Sequence, residues 1–115
     1  MITIDSLREY GANVDEGLAR CMNNEAFYLK LVAKVLNDTA FDALRKAVEA
    51  GNKEEAFDAA HRLKGAVGNL ALTPISEPVN EMVELLRNKS DADYMEYLER
   101  IEDRKKQLED MAETC

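Results

Sequence analysis

Apolar residues recur at intervals of three and four along nearly the whole chain, and no segment alternates apolar with polar residues in the two-residue period of a half-buried strand. That pattern restricts the chain to packed amphipathic helices. In the clearest stretch, Ala56, Leu63, Val67 and Leu70 share one side of a helix that turns about 100° per residue. Phe57, His61, Lys64, Gly65 and Gly68 share the opposite side. Composition agrees: of 115 residues 46% are hydrophobic but only 6% aromatic, and there is no Trp, which favours Leu, Val, Ala and Met packing between helices over a sheet sandwich. This length supports one domain with its own core, residues 1–115, and is too short for two of ordinary size.

Helix ends are marked by capping residues and glycine. Two short helices are expected at about 4–10 and 14–21, separated by Gly11, with Asp15 capping the second. They read as a cap on a bundle. From Asn24, the residues Phe27, Leu31, Val35, Phe41, Leu44 and Val48 give one long helix over 24–50. Asn37-Asp38-Thr39 is its natural place for a kink or break, because these side chains compete for backbone hydrogen bonds. Gly51-Asn52 ends it. The next helix, about 53–70, opens with Glu54 and Glu55 at the positive end of its dipole. Thr73-Pro74 reads as a cap followed by proline in the first helical position, although Pro78 moves the regular start toward Ser76-Glu77, and this helix runs to about Asn88. Asp91 opens a last helix, 91–112, whose stripe is Tyr94, Leu98, Ile101, Leu108 and Met111 and whose charged remainder reads as a solvated face with paired side chains. Four long helices with short connections predict an all-α, antiparallel up-down four-helix bundle with short N-terminal capping helices.

A net charge of −8 argues against nucleic-acid or anionic-membrane binding, since either needs a basic surface. No apolar run approaches the roughly 18 residues of a membrane span, and Met-Ile-Thr-Ile-Asp is unlike a signal peptide, so a soluble cytoplasmic protein is expected. Cys21 and Cys115 stand alone, and with a single histidine they offer neither a disulfide framework nor a metal site.

His61 lies opposite the apolar stripe, with Lys64 one turn on and two glycines, Gly65 and Gly68, on its own face. Each glycine costs a helix about 1 kcal/mol relative to Ala, so their placement calls for a reason. An imidazole in water is largely neutral and nucleophilic near pH 7. Arg62 and Lys64 form the strongest basic cluster in the middle of the chain, too small for a nucleic-acid duplex but adequate for one phosphoryl group. This combination suits a large partner that must approach a nucleophilic nitrogen.

Ala60-His61-Arg62-Leu63-Lys64-Gly65 followed by Gly68 resembles the histidine phosphotransfer (HPt) domain family of bacterial phosphorelays, whose motif runs His-x-Leu-Lys-Gly and then small residues. The run Val14–Arg20 and the pair Phe27-Tyr28 are similar to that family's lead-in, which extends the resemblance over almost the whole chain. Ala71 departs from it, standing where many members have Gly; being small, it is expected to cost little. The resemblance implies a stoichiometric phosphocarrier, not an autonomous catalyst. His61 would accept a phosphoryl group from the aspartyl phosphate of a response-regulator receiver and pass it to another receiver aspartate. By analogy the phosphate goes on Nε2. Lys64 would compensate phosphoryl charge, Mg²⁺ would come from the receiver and not from this chain, and Phe57, Arg62, Gly65 and Gly68 would face the partner. The expected partners are receiver domains or a hybrid histidine kinase, and the chain is expected to be a monomer.

Other readings fit less well. A kinase fragment would need a glycine-rich nucleotide box, which is absent, and commonly an acidic residue after the histidine, where Arg62 stands. The phosphoacceptor domain of a chemotaxis-type kinase shares the pattern; Met1 and the tidy end after the last helix favour a stand-alone protein, though an excised domain reads the same. A helical adaptor without phosphate chemistry and a hydrolase using His61 as base complete the alternatives, the last lacking a nucleophile or an oriented carboxylate nearby.

Overall fold

The computed structural model describes residues 2–113, and among them seven helices and no strands. These are α1 (Ile4–Tyr10), α2 (Val14–Arg20), α3 (Glu25–Val35), α4 (Ala40–Ala50), α5 (Lys53–Asn69), α6 (Thr73–Arg87) and α7 (Tyr94–Glu113). Helices α4 to α7 form the bundle: α5 packs between α4 and α6, and α7 closes the ring against both of them. Short turns at Gly51-Asn52, 70–72 and 88–93 make successive bundle helices antiparallel. Gly51, in the left-handed conformation with φ 70°, ends α4, and the Asn52 side chain then accepts a hydrogen bond from the Glu55 N–H to start α5.

The long helix expected over 24–50 is two helices. After Val35 the chain leaves the helical path, and the Asp38 carboxylate accepts the Ala40 N–H at 2.8 Å, so the side chain supplies the bond that a continuous helix would have made through its backbone. Only α4 joins the bundle. Helix α3 instead lies across the C-terminal end of α5, tied there by the Tyr28 hydroxyl, which donates to the Leu70 carbonyl at 2.8 Å. Its buried stripe is Tyr28, Val32 and Val35, leaving Phe27 42% exposed, so the inward face is turned by one residue from the one the sequence predicts.

Three further boundaries differ. Asn13, not Asp15, caps α2 by accepting the Glu16 N–H, while Asp15 pairs with Arg8 at 2.9 Å. Helix α6 starts at Thr73 after Leu72, despite Pro78 within it; burial of Ile75, Pro78, Val79, Met82 and Val83 holds the turn that lacks one backbone donor. Asp91 precedes α7 and pairs with Lys53 at 3.0 Å. In the turn between α5 and α6, Ala71 has φ 55°, a left-handed conformation that costs a residue with a Cβ about 1–2 kcal/mol. The expectation that Ala at this place costs little is therefore corrected.

Helices α1 and α2 are held to the bundle by specific bonds: the Tyr10 hydroxyl donates to the Arg104 carbonyl at 2.8 Å, and the Asn13 N–H to the Ala71 carbonyl at 2.9 Å. The charged face of α7 carries the expected i,i+4 pairs Arg100–Glu96 and Lys105–Glu109. It also carries a two-point contact from α4, where Arg45 donates to both Glu102 oxygens, at 2.9 and 2.6 Å, which raises the guanidinium pKa. Cys21 is buried and free, and Cys115 lies outside the described residues.

Candidate functional site

Helix α5 carries the only histidine on its outer face. Its inner face is made of Ala56, Ala59, Ala60, Leu63 and Val67, all buried, and the small alanines let the neighbouring helices pack close. Glu54 and Glu55 complement the N-terminal end of its dipole. At the other end Arg20, from α2, donates to the Gly68 carbonyl at 2.9 Å and to Glu16 at 2.6 Å. A cation thus satisfies one of the last carbonyls of the helix.

The imidazole of His61 is exposed, and neither ring nitrogen has a hydrogen-bond or ion-pair partner among the described residues. Its one ring contact there is Phe57, one turn back, at 5.7 Å between centroids and 25° between planes. Phe57 is half-buried and packs against the core, so it is less open than its position opposite the apolar stripe implies. From the last turn of α6, the Arg87 guanidinium lies over the Phe57 ring at 5.9 Å. An open groove of about 920 Å³ between the start of α5 and the end of α6 reaches Phe57, Asp58 and Arg87 but stops short of His61, which stands on open surface.

Lys64 is half-buried, and its ammonium has no ion-pair partner among the described residues. It shares the His61 face at i+3. A Cβ added at Gly65 or at Gly68 would meet nothing within 4 Å, so no neighbour among the described residues demands glycine at either position. Arg62 is turned away from this group: it pairs with Asp38 at 3.3 Å, against the joint between α3 and α4. The structure therefore brings together Phe57, His61, Lys64, Gly65 and Gly68, and separates Arg62 from them. It adds Arg87 and Arg20, for which sequence reading had no signal, since each reaches α5 from another helix. Among the described residues no three His, Cys, Asp or Glu side chains converge as a metal site, and no helix is long and apolar enough to cross a membrane.

An exposed histidine whose ring nitrogens have no partner among the described residues thus stands on the outer face of a helical bundle, beside two glycines that open onto free space. The chain belongs to the Hpt domain family, whose model matches residues 34–114. The family acts by histidine phosphotransfer in phosphorelays. The match includes the histidine-bearing helix and all of the bundle but starts inside α3, so the similarity seen at 14–20 and 27–28 lies outside it. No curated protein and no solved structure gives a significant match.

Proposed function

We propose that His61 is the phosphoacceptor of a stoichiometric phosphocarrier, receiving a phosphoryl group from the aspartyl phosphate of a receiver domain and passing it to the aspartate of another. In each transfer the imidazole nitrogen forms a bond to phosphorus as the aspartyl oxygen–phosphorus bond breaks, and the reverse displacement regenerates the free imidazole. Such a step depends mainly on positioning and charge compensation. The observation that carries this reading is the exposed imidazole of His61, with no hydrogen-bond or ion-pair partner among the described residues, on a face where both nearby glycines open onto free space.

Lys64 supplies a positive charge to the phosphoryl oxygens, Gly65 and Gly68 let the receiver come close, and Mg²⁺ belongs to the receiver's acidic pocket. Phe57, half-buried, adds only a small apolar edge that leucine would also supply, and Arg62 meets the partner at the edge of this face, beside its own pair with Asp38. The partners are response-regulator receivers or a hybrid histidine kinase, met by a monomer in the cytoplasm. The test is His61→Gln. The substituted chain is expected to keep its helical circular dichroism and to lose all acid-labile, base-stable phosphate after incubation with a phosphorylated receiver. Retained labelling would refute the assignment.

A further inference from the structure

A helical side chain leans over the turn N-terminal to its own Cα, so the imidazole of His61 is directed back over Phe57. No hydrogen bond fixes the ring nitrogens, so the stack at 5.7 Å and 25° is the contact that can order the ring. Phe57 is itself restrained, by the core beneath it and by the Arg87 guanidinium at 5.9 Å, and Arg87 is held in turn by Glu84 at 3.5 Å. A receiver that docks on α5 fixes the helix but not the torsions of an exposed imidazole. Ordering that ring in advance lowers the orientational cost of in-line attack.

We propose that Phe57 is a positioning residue that presets the His61 ring for phosphoryl transfer, and that Arg87 acts through Phe57 by holding its ring in place. This rests on the reading of His61 as the acceptor. It differs from a docking role for Phe57 in the kinetic constant it touches. A docking contact changes the receiver concentration at half-saturation, whereas a preset ring changes the rate within the docked complex.

The experiment uses the whole chain with Phe57→Leu, Phe57→Tyr, Arg87→Gln and Arg87→Lys, and a receiver domain charged with acetyl phosphate. His61 is the only histidine, so its imidazole protons are assigned directly in the NMR spectrum. Phe57→Leu is expected to move them downfield as the aromatic ring current is lost. It should slow transfer at saturating receiver about three- to tenfold, in keeping with the strength of an aromatic pair, while half-saturation stays within about twofold. Phe57→Tyr keeps the ring face and should retain both the resonances and the rate. Arg87→Gln should shift both in the same direction by less, and Arg87→Lys should recover part.

Resonances unmoved in Phe57→Leu would overturn the proposal, as would a raised half-saturation with the rate intact, or equal losses in the Leu and Tyr variants. Failure of the underlying reading looks different. An unsubstituted protein that takes no phosphate, with its His61 resonances still displaced, would remove the acceptor role and the positioning role with it. Normal labelling that Phe57→Leu leaves untouched would remove the positioning role alone.

Discussion

Glycine serves opposite ends at the two sides of this molecule. In α2, a Cβ at Gly17 would lie 2.6–2.7 Å from the ring of Tyr28, so the missing side chain is the space into which α3 packs. On the outer face of α5, a Cβ at Gly65 or Gly68 would touch nothing within 4 Å. The first glycine is explained by the chain's own packing. The other two lower helix stability by about 1 kcal/mol each with no packing reason among the described residues, and under the proposed function they leave room for a receiver. Substitutions at the α2–α3 joint should therefore act on stability, and those on the His61 face on transfer.

After His61→Gln itself, the largest effect expected on the outer face is that of Lys64→Ala. Loss of one charge-assisted contact is worth about 1.5–3 kcal/mol, so transfer should slow roughly ten- to a hundredfold, or the phosphohistidine should shorten in life, while the melting temperature hardly changes. Transfer kinetics within about twofold of the original would show that this charge is unused.

The joint should show itself in alkali. Burial pushes the Tyr28 hydroxyl up to about 12 and raises that of Tyr10 as well. In the unfolded chain a tyrosine ionises near 10, so the stabilisation is fully present below about pH 10 and is lost as pH rises toward the folded value, by about 1.4 kcal/mol per pH unit for each group. Urea unfolding at about pH 9 and about pH 11 measures the loss, and Tyr28→Phe should remove the Tyr28 share of it while leaving that of Tyr10.

A matched pair of glycine substitutions addresses the contrast directly. Gly17→Ala forces a Cβ against a buried ring and should destabilise by about 1–3 kcal/mol, more than the gain in helix propensity returns. Gly68→Gln should instead raise stability by up to about 1 kcal/mol, yet impair transfer from a receiver while small donors such as phosphoramidate still label His61. A Gly68→Gln protein that accepts phosphate from its receiver at the original rate would return this glycine to a tolerated accident. The smallest effect belongs to the turn between these regions: Ala71→Gly relieves φ 55° and should stabilise by about 0.5–1 kcal/mol, read as a rise in the urea midpoint.

What was legible in the sequence is what depends on residues within about four positions of one another. Helix faces and caps are of this kind, so the buried side of α5, the stop at Gly51, and the placing of His61, Lys64, Gly65 and Gly68 on one outward face all follow from spacing. The joint at 37–39 was marked by its side chains, but whether the chain bends or breaks there depends on where α3 finds a surface to bury. A rotation of about 100° separates Phe27 from Tyr28, and the pocket opposite Gly17, together with the Leu70 carbonyl, decides that Tyr28 goes inside.

Composition, period and motif thus determined by themselves an all-helical chain with one outward histidine. Tertiary structure alone decided that Arg62 turns to Asp38, that Arg20 reaches the Gly68 carbonyl, that Arg87 covers the ring on which His61 rests, and that Ala71 is strained. The reason is physical. A helix fixes its own faces through bonds between near neighbours, but which side chain of another helix arrives at those faces depends on how the helices cross, and that is set by the packing of the whole core.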